Sequence, residues 1–318
     1  MKKWGLWFCM VMLLFLSACS IAKDRTFQVT ETYNLTSSTG TTSYLQIDLP
    51  IGYGYQKVSD IRTTAESYDI TQEDGYQVFN TQLQGDGSQK TVELKYTVTL
   101  LSGEKTWDET AVKQEYLLPG EYTDSDSQDI MDATVPLVIQ NDDYRTAKNI
   151  FDFVSKTIRF DREPKINVEK QNASDTLFVK KGVCGDYATL MVAMLRAAGI
   201  PARDISGLVY NDLRETGDWS HSAASGSHAW VEFYADNEWH FADPTWGNGY
   251  FDNADGYHLS YGTEISDIRS MAYLDMIDDI EDKGYSIIGA MTAPIKFAAW
   301  SEDANAVVVP MVEVVEVP

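Results

Sequence analysis

The hydrophobic pattern changes its period partway along this 318-residue chain. Over 91–100 apolar and polar residues alternate, which is typical of a half-buried strand, and 45–49 repeats this pattern. Over 144–158 and 190–198 the apolar residues recur every three or four positions instead, which predicts two amphipathic helices. We therefore expect an α+β fold that begins with a β-sandwich over 27–115 and continues into a unit that contains helices.

The first eighteen residues have the features of a secretory signal. Lys2 and Lys3 precede an apolar run that is too short to cross a bilayer, which takes roughly 20 residues. The ending at 16–19 resembles the lipobox of bacterial lipoproteins, in which Cys19 receives the lipid, although an ordinary signal with an incidental cysteine would also fit. We expect a signal at 1–18, a tether at 19–26, and a protein anchored by lipid to a bacterial membrane on its extracytoplasmic side.

The rest of the chain is strongly acidic. Removal of 1–18 takes away two lysines and leaves 23 basic against 48 acidic residues, a formal charge of −25. Such a surface argues against nucleic acid as a partner. It serves solubility, or it attracts cationic protein substrates. The membrane contact that we expect is therefore the lipid anchor.

Cys184 is the candidate nucleophile. Of the three cysteines, Cys9 lies in the predicted signal and Cys19 at the predicted lipidation site, so Cys184 is the thiol that remains. It directly precedes the second helical pattern, and the start of a helix favours a thiolate through its unpaired N–H groups and partial positive charge. The thiolate is the reactive form of cysteine. Such chemistry also needs a histidine to move protons and a carboxylate to orient the histidine.

A predicted hairpin supplies both partners. Strands at 228–234 and 238–243 flank a turn that we centre on Asp236 and Asn237. In that register His228 and Asp243 are diagonal neighbours on one face, with Cα atoms roughly 7–8 Å apart. An odd-length loop would separate them, because a shift of one residue moves every side chain to the other face.

The other three histidines fit this role less well. His240 has the opposite parity in the hairpin and should point away from Asp243. His221 lies in a loop rich in serine and glycine, as a flexible surface residue or a substrate contact. His258 follows the second strand, and we interpret it as structural or incidental.

We expect no metal and no other cofactor. The histidines lack the spacing of zinc ligands. Asp124, Asp126 and Asp129 lie in a charged stretch at 102–132 without the glycine and distal glutamate of an EF-hand, and we interpret this stretch as a solvated acidic loop. Asp186 should assist the start of the helix rather than the reaction.

Four short stretches together resemble the transglutaminase-like superfamily, whose members are related to papain-type cysteine proteases. The resemblance covers roughly 140–250 and rests on the sequences at 182–188, 195–203, 228–232 and 243–246. It implies a core in which the helix bearing the cysteine packs on an antiparallel sheet. It also implies that Cys184 is the nucleophile, His228 the base and acid, and Asp243 the orienting carboxylate. We place this catalytic domain at 116–262 and assign no role to 263–318.

The resemblance leaves the reaction partly open. Transglutaminases use a tryptophan upstream of the cysteine to hold the oxyanion, and this chain has none between Trp107 and Cys184. We therefore favour hydrolysis of amide bonds in proteins or peptides, through a thioester, over transfer to an amine. The alternative is a non-catalytic binding or scaffold module of the cell envelope with the same fold.

Overall fold

The computed structural model describes two packed units. The described residues are 23–73, 76–102, 114–161, 171–210, 227–254, 256–262, 276–291 and 297–317. The predicted signal and lipidation site, His221, and 263–275 lie outside them. Within the described residues, no helix combines the length and the apolar character needed to cross a bilayer.

Two antiparallel sheets form the first unit, a β-sandwich. Its strands are β1 (Arg25–Thr36), β2 (Thr42–Leu49), β3 (Gln56–Thr63), β4 (Tyr68–Glu73), β5 (Tyr76–Gln84), β6 (Gln89–Leu100), β13 (Ser286–Met291), β14 (Phe297–Ser301) and β15 (Val307–Val317). The first sheet has the order β15-β1-β6-β3, and the second has the order β13-β14-β2-β5-β4.

The predicted alternation is present in this sandwich. On β6 Val92, Leu94, Tyr96 and Val98 are buried, while the residues between them are partly exposed. Leu45, Ile47 and Leu49 on β2 enter the same core. Full burial of a side chain of this size contributes roughly 1.5–3 kcal/mol, so the alternate residues hold the two sheets together.

The sandwich also takes up the C-terminal part of the chain. The sequence predicts an extension of unknown role at 263–318, and in the structure β14 pairs with β2, and β15 pairs with β1 along its whole length. Thr26, for example, lies opposite Val317. Alternating polar and apolar residues at 307–317 can indicate a strand. They cannot indicate its partner, because β1 lies at the opposite end of the chain.

Helices cover a second antiparallel sheet in the other unit. The helices are α1 (Gln128–Thr134), α2 (Asp143–Thr157), α3 (Ala173–Val179) and α4 (Cys184–Ala197), and the sheet has the order β11-β10-β9-β12. Its strands are β9 (Ala202–Val209), β10 (Ser227–Ala235), β11 (Glu238–Ala242) and β12 (His258–Ser260). Two residues each of β7 (Arg159–Phe160) and β8 (Lys181–Gly182) pair in parallel, and a further helix α5 spans 276–282.

Helix α4 is the centre of this unit. It begins at Cys184, and 186–196 are buried on every side, because α1, α2 and α3 cover one face and β9 and β10 the other. Gly199 follows its end with φ +82°, a left-handed conformation that suits glycine. The start and end of this helix agree with the sequence prediction.

The charged stretch before this unit differs from the predicted loop. Its described part contains a 3₁₀ helix (Gln114–Leu117) and α1. Asp124 accepts hydrogen bonds from the Ser174 N–H at 3.1 Å and the Ser174 Oγ at 2.5 Å, so it fixes the start of α3, whereas Asp126 and Asp129 are exposed. Asp124 is therefore a structural residue.

Polar contacts join the sandwich to the sheet of the second unit. The Trp230 Nε1–H on β10 donates to Tyr55 Oη at 3.1 Å. Tyr53 Oη lies within hydrogen-bond distance of Ser260 Oγ at 2.6 Å and of Glu232 Oε1 at 3.1 Å. These groups are buried, and the apolar core continues from the sandwich to Trp230 without interruption. The strands that carry the candidate site therefore rest on the sandwich.

Candidate active site

The β10–β11 hairpin has the register that the sequence predicts. Asp236 and Asn237 form its turn with φ of 51° and 68°, as a two-residue hairpin turn of the primed type requires. Val231 lies opposite Ala242. Asp243 directly follows β11, and its Oδ2 lies 2.8 Å from His228 Nε2.

Asp243 is a fully buried carboxylate with four hydrogen-bond donors. Oδ1 accepts from the backbone N–H groups of Thr245 at 2.9 Å and Trp246 at 3.3 Å. Oδ2 accepts from His228 and, at 3.3 Å, from His258 Nε2. Burial raises the pKa of Asp243, but the hydrogen bonds from His228 and then His258 outweigh burial and hold this pKa below its ordinary value. The carboxylate therefore stays ionised.

His228 is a buried histidine that keeps its proton. Burial lowers its pKa, but hydrogen bonds to Asp243 and then to Cys184 outweigh burial and raise the pKa to about 9. Nε2 is hydrogen-bonded to Asp243, so Nδ1 is the ring nitrogen that can face the thiol. At neutral pH the ring is an imidazolium between the sulfur and the carboxylate.

Cys184 is partly exposed at the first position of α4. Asp186 Oδ2 accepts from the N–H of Val183 at 2.7 Å, so Asp186 supports the helix start as predicted. A Cβ on Gly182 would lie 2.5 Å from the Asp186 Cβ, so this position leaves no room for a side chain. The loop and helix start thus hold the thiol at the N-terminal end of α4.

Two aromatic residues complete the surroundings of Asp243, and the sequence interpretation missed both. His258 is fully buried and contacts the carboxylate, where we expected a structural or incidental residue. The Trp246 ring lies 5.3 Å from the His228 ring and 4.8 Å from the His258 ring, between centroids, and it helps to shield the His–Asp pair from water. His258 reaches this place because β12 pairs with β9, which no local pattern indicates.

His240 points away from this cluster, as its parity predicts. Its Nδ1 lies 2.9 Å from Asp252 Oδ1, its Nε2 lies 3.1 Å from the Ala235 carbonyl oxygen, and its ring stacks on Phe233. It belongs to the opposite face of the sheet.

The cluster of His228, Asp243 and His258 suits hydrogen bonding better than metal binding. Its three candidate ligand atoms lie within 4.8 Å of one another, which is close enough for one ion. A metal would need His228 Nε2 without its proton, yet the pKa of about 9 keeps that proton in place at neutral pH. The buried carboxylate is already satisfied by its four donors.

The comparison with known proteins agrees with this geometry. Residues 136–244 match the family model of the transglutaminase-like superfamily. The predicted family and the α+β fold class are thus confirmed.

Two relatives match a limited part of the chain. The Pseudomonas aeruginosa protein-glutamine gamma-glutamyltransferase is 36% identical over 96 residues, which are 28% of this chain and 14% of the relative. The mouse kyphoscoliosis peptidase is 29% identical over 112 residues, 35% of this chain and 17% of the relative. The chain therefore spans less than a fifth of these relatives' length.

One solved structure resembles nearly the whole chain. A Cytophaga hutchinsonii protein described as a candidate cysteine protease superposes with a TM-score of 0.55 at 16% identity, over 93% of this chain and 92% of that one. At this identity the likeness concerns the fold, which includes the sandwich as well as the second unit.

Proposed function

We propose that the chain is a thiol enzyme that cleaves amide bonds of proteins or peptides through a thioester, with Cys184, His228 and Asp243 as its catalytic triad. The observation that carries the proposal is the place of the partly exposed Cys184 thiol beside His228, whose ring is hydrogen-bonded to the buried and ionised Asp243. A buried pair with pKa values shifted in opposite directions, beside a partly exposed thiol at a helix start, is the arrangement that thiol catalysis needs.

The reaction begins with attack of the Cys184 thiolate on the amide carbonyl carbon. The new C–S bond places negative charge on the oxygen, which the Cys184 backbone N–H stabilises. The His228 imidazolium then donates its proton to the leaving amine, and the thioester forms. In the second half His228 removes a proton from the acceptor, the acceptor attacks the thioester, and the thiolate leaves. Asp243 keeps the imidazole in one tautomer throughout.

Water is the acceptor that we favour, so the enzyme would be a peptidase or amidase. The chain lacks the upstream tryptophan that transglutaminases use for the oxyanion, and one such donor is worth about 10²–10³ in rate. A lysine amine as acceptor would make the enzyme a crosslinking transferase instead. The names of the two relatives include one activity of each kind.

We further propose that the enzyme works outside the cytoplasm, anchored to a bacterial membrane through lipid on Cys19. The support is the basic and apolar start of the sequence and its lipobox-like ending. The acidic surface makes protein substrates more suitable partners than nucleic acid.

Alkylation tests the activated thiol directly. We expect iodoacetamide at pH 6 to label Cys184 much faster than an ordinary thiol, and His228→Ala to remove this difference. Labelling at the rate of a free thiol would contradict the proposal. A glutamine-containing peptide with an amine probe, compared between the wild type and Cys184→Ala, then separates transfer from hydrolysis. A Cys184→Ala variant that kept every wild-type phenotype would instead support a non-catalytic binding module.

A further inference from the structure

The outer face of the second sandwich sheet contains a concave site far along the chain from the thiol. On β2 Leu45 and Ile47 enter the core, so Tyr44 and Gln46, which alternate with them, face outward. These two residues and their neighbours on β4, β5 and β14 line a cavity of about 470 Å³. Polar and aromatic side chains, rather than aliphatic ones, face this space.

Aromatic rings form one side of the cavity. Tyr44 and Trp300 stack with ring centroids 5.5 Å apart and an interplanar angle of 11°. Both side chains are partly exposed. The sandwich core does not need these rings outside it, and aromatic residues that line a concave surface are typical of ligand-binding sites.

A row of amide and carboxylate groups crosses the sheet beside these rings. The Gln46 Nε2–H donates to Asn80 Oδ1 at 2.9 Å, and the Asn80 Nδ2–H donates to Asp69 Oδ2 at 3.2 Å. These bonds fix the orientation of the three side chains and leave each with further hydrogen-bonding capacity. Gln82 lies beside them, exposed, and its amide makes no side-chain hydrogen bond within the described residues.

We propose that this cavity binds a neutral carbohydrate. A sugar ring has flat C–H faces that pack on aromatic rings and hydroxyl groups that pair with amides and carboxylates, and the cavity offers both kinds of partner. Asp69 is the one charged side chain that lines it, and the rest of the chain is strongly acidic, so an anionic polymer would be repelled. The site does not depend on the proposed thiol chemistry. It would hold the protein on a glycan while the other unit acts on its own substrate.

Affinity electrophoresis of the full chain in gels with soluble glucomannan, xylan or mixed-linkage β-glucan tests this proposal. We expect at least one of these neutral polymers to retard the protein, and polygalacturonate to have no such effect. Trp300→Ala and Gln82→Ala should each weaken the retardation about tenfold, as expected for loss of one stacking or hydrogen-bonding partner. Gln72→Ala, on β4 but outside the cavity, is the matched control and should behave as the wild type.

The proposal is overturned if none of the neutral polymers retards the wild type, if polygalacturonate alone does so, or if the Trp300 and Gln82 variants bind as the wild type or no worse than Gln72→Ala. Thermal unfolding and iodoacetamide labelling of Cys184 in each variant show that the fold is intact. Since Gln82 is exposed, Gln82→Ala keeps the test valid even if Trp300→Ala does not fold.

Discussion

Replacement of Asp243 by asparagine should remove the carboxylate that His228 and His258 contact, with almost no change in side-chain volume. The amide oxygen would keep the bonds from the Thr245 and Trp246 N–H groups, so the amide NH₂ would face His228 and His258. The His228 and His258 N–H groups cannot form hydrogen bonds with this NH₂ group, because all of them are donors. His228 would then lose its Nε2 proton and turn into the tautomer that places a proton, rather than a lone pair, toward the thiol.

The pKa of His228 gives the size of the effect. Its value of about 9 lies above the ordinary 6.5, and a difference of about 2.5 units corresponds to about 3 kcal/mol in favour of the imidazolium. Without the carboxylate, burial lowers this pKa and only Cys184 still raises it, so we expect a value well below 9. At pH 7.5 the imidazolium fraction, about 97% in the wild type, would then fall, and turnover would fall by about 10⁴.

The same shift predicts the pH dependence of stability. A pKa raised in the folded state stabilises the protein while His228 holds its proton, so this contribution is complete below pH 6.5 and is lost between pH 6.5 and 9. Asp243→Asn should abolish this part of the pH dependence in urea unfolding. The wild type should lose up to about 3 kcal/mol across the same range from this group.

NMR titration of the imidazole C–H signals, with the alkylation rate of Cys184, measures the effect. Asp252→Asn is the matched control, because Asp252 holds His240 at 2.9 Å on the other face of the sheet. It should lower the pKa of His240 and leave His228 and Cys184 unchanged. The reasoning fails if wild-type His228 titrates near 6.5, or if Asp243→Asn leaves its titration where it was.

Three further predictions concern neighbours of the site and the packing of the two units. His258→Phe should keep the packing but remove one donor to Asp243, so the pH profile of Cys184 alkylation should shift from that of the wild type. His258→Gln, which keeps a donor, should restore the wild-type profile. An unshifted profile in His258→Phe would mean that His258 contributes packing only. Glu31 is buried among tyrosine hydroxyls, and burial raises its pKa from 4.5 to about 7, so the wild type should lose up to about 3 kcal/mol as pH rises through this range. Glu31→Gln should flatten that part of the urea-unfolding profile, and an unchanged slope would contradict the assignment. Gly207→Ala would put a Cβ 2.1 Å from a backbone oxygen of β12 and should cost about 1–3 kcal/mol in urea unfolding, whereas Gly185→Ala, with open space around it, should cost less.

Local patterns were enough to predict the hairpin and the cysteine helix. The turn at Asp236 and Asn237 determines the β10–β11 register, so the contact between His228 and Asp243 follows from counting residues. Gly199 likewise marks the end of α4.

The contacts that the sequence did not predict join distant parts of the chain. His258 reaches Asp243 through the pairing of β12 with β9, and β15 completes a sheet that begins at β1. Neither partner can be identified from a repeat of polar and apolar residues, because that repeat reports which face is buried and not which strand lies beside it.

The pairing of the first and last strands has a consequence for the order of assembly. As the polypeptide leaves the ribosome, 136–244 emerge whole, with their helices and hairpin, long before β15 exists. The outermost strand of the first sheet must wait until residue 317 has been made, and until then one side of β1 has no neighbour. An unpaired edge of this kind is open to other chains, so a protein truncated near its C-terminus should accumulate as aggregates even though every group around Cys184 is present.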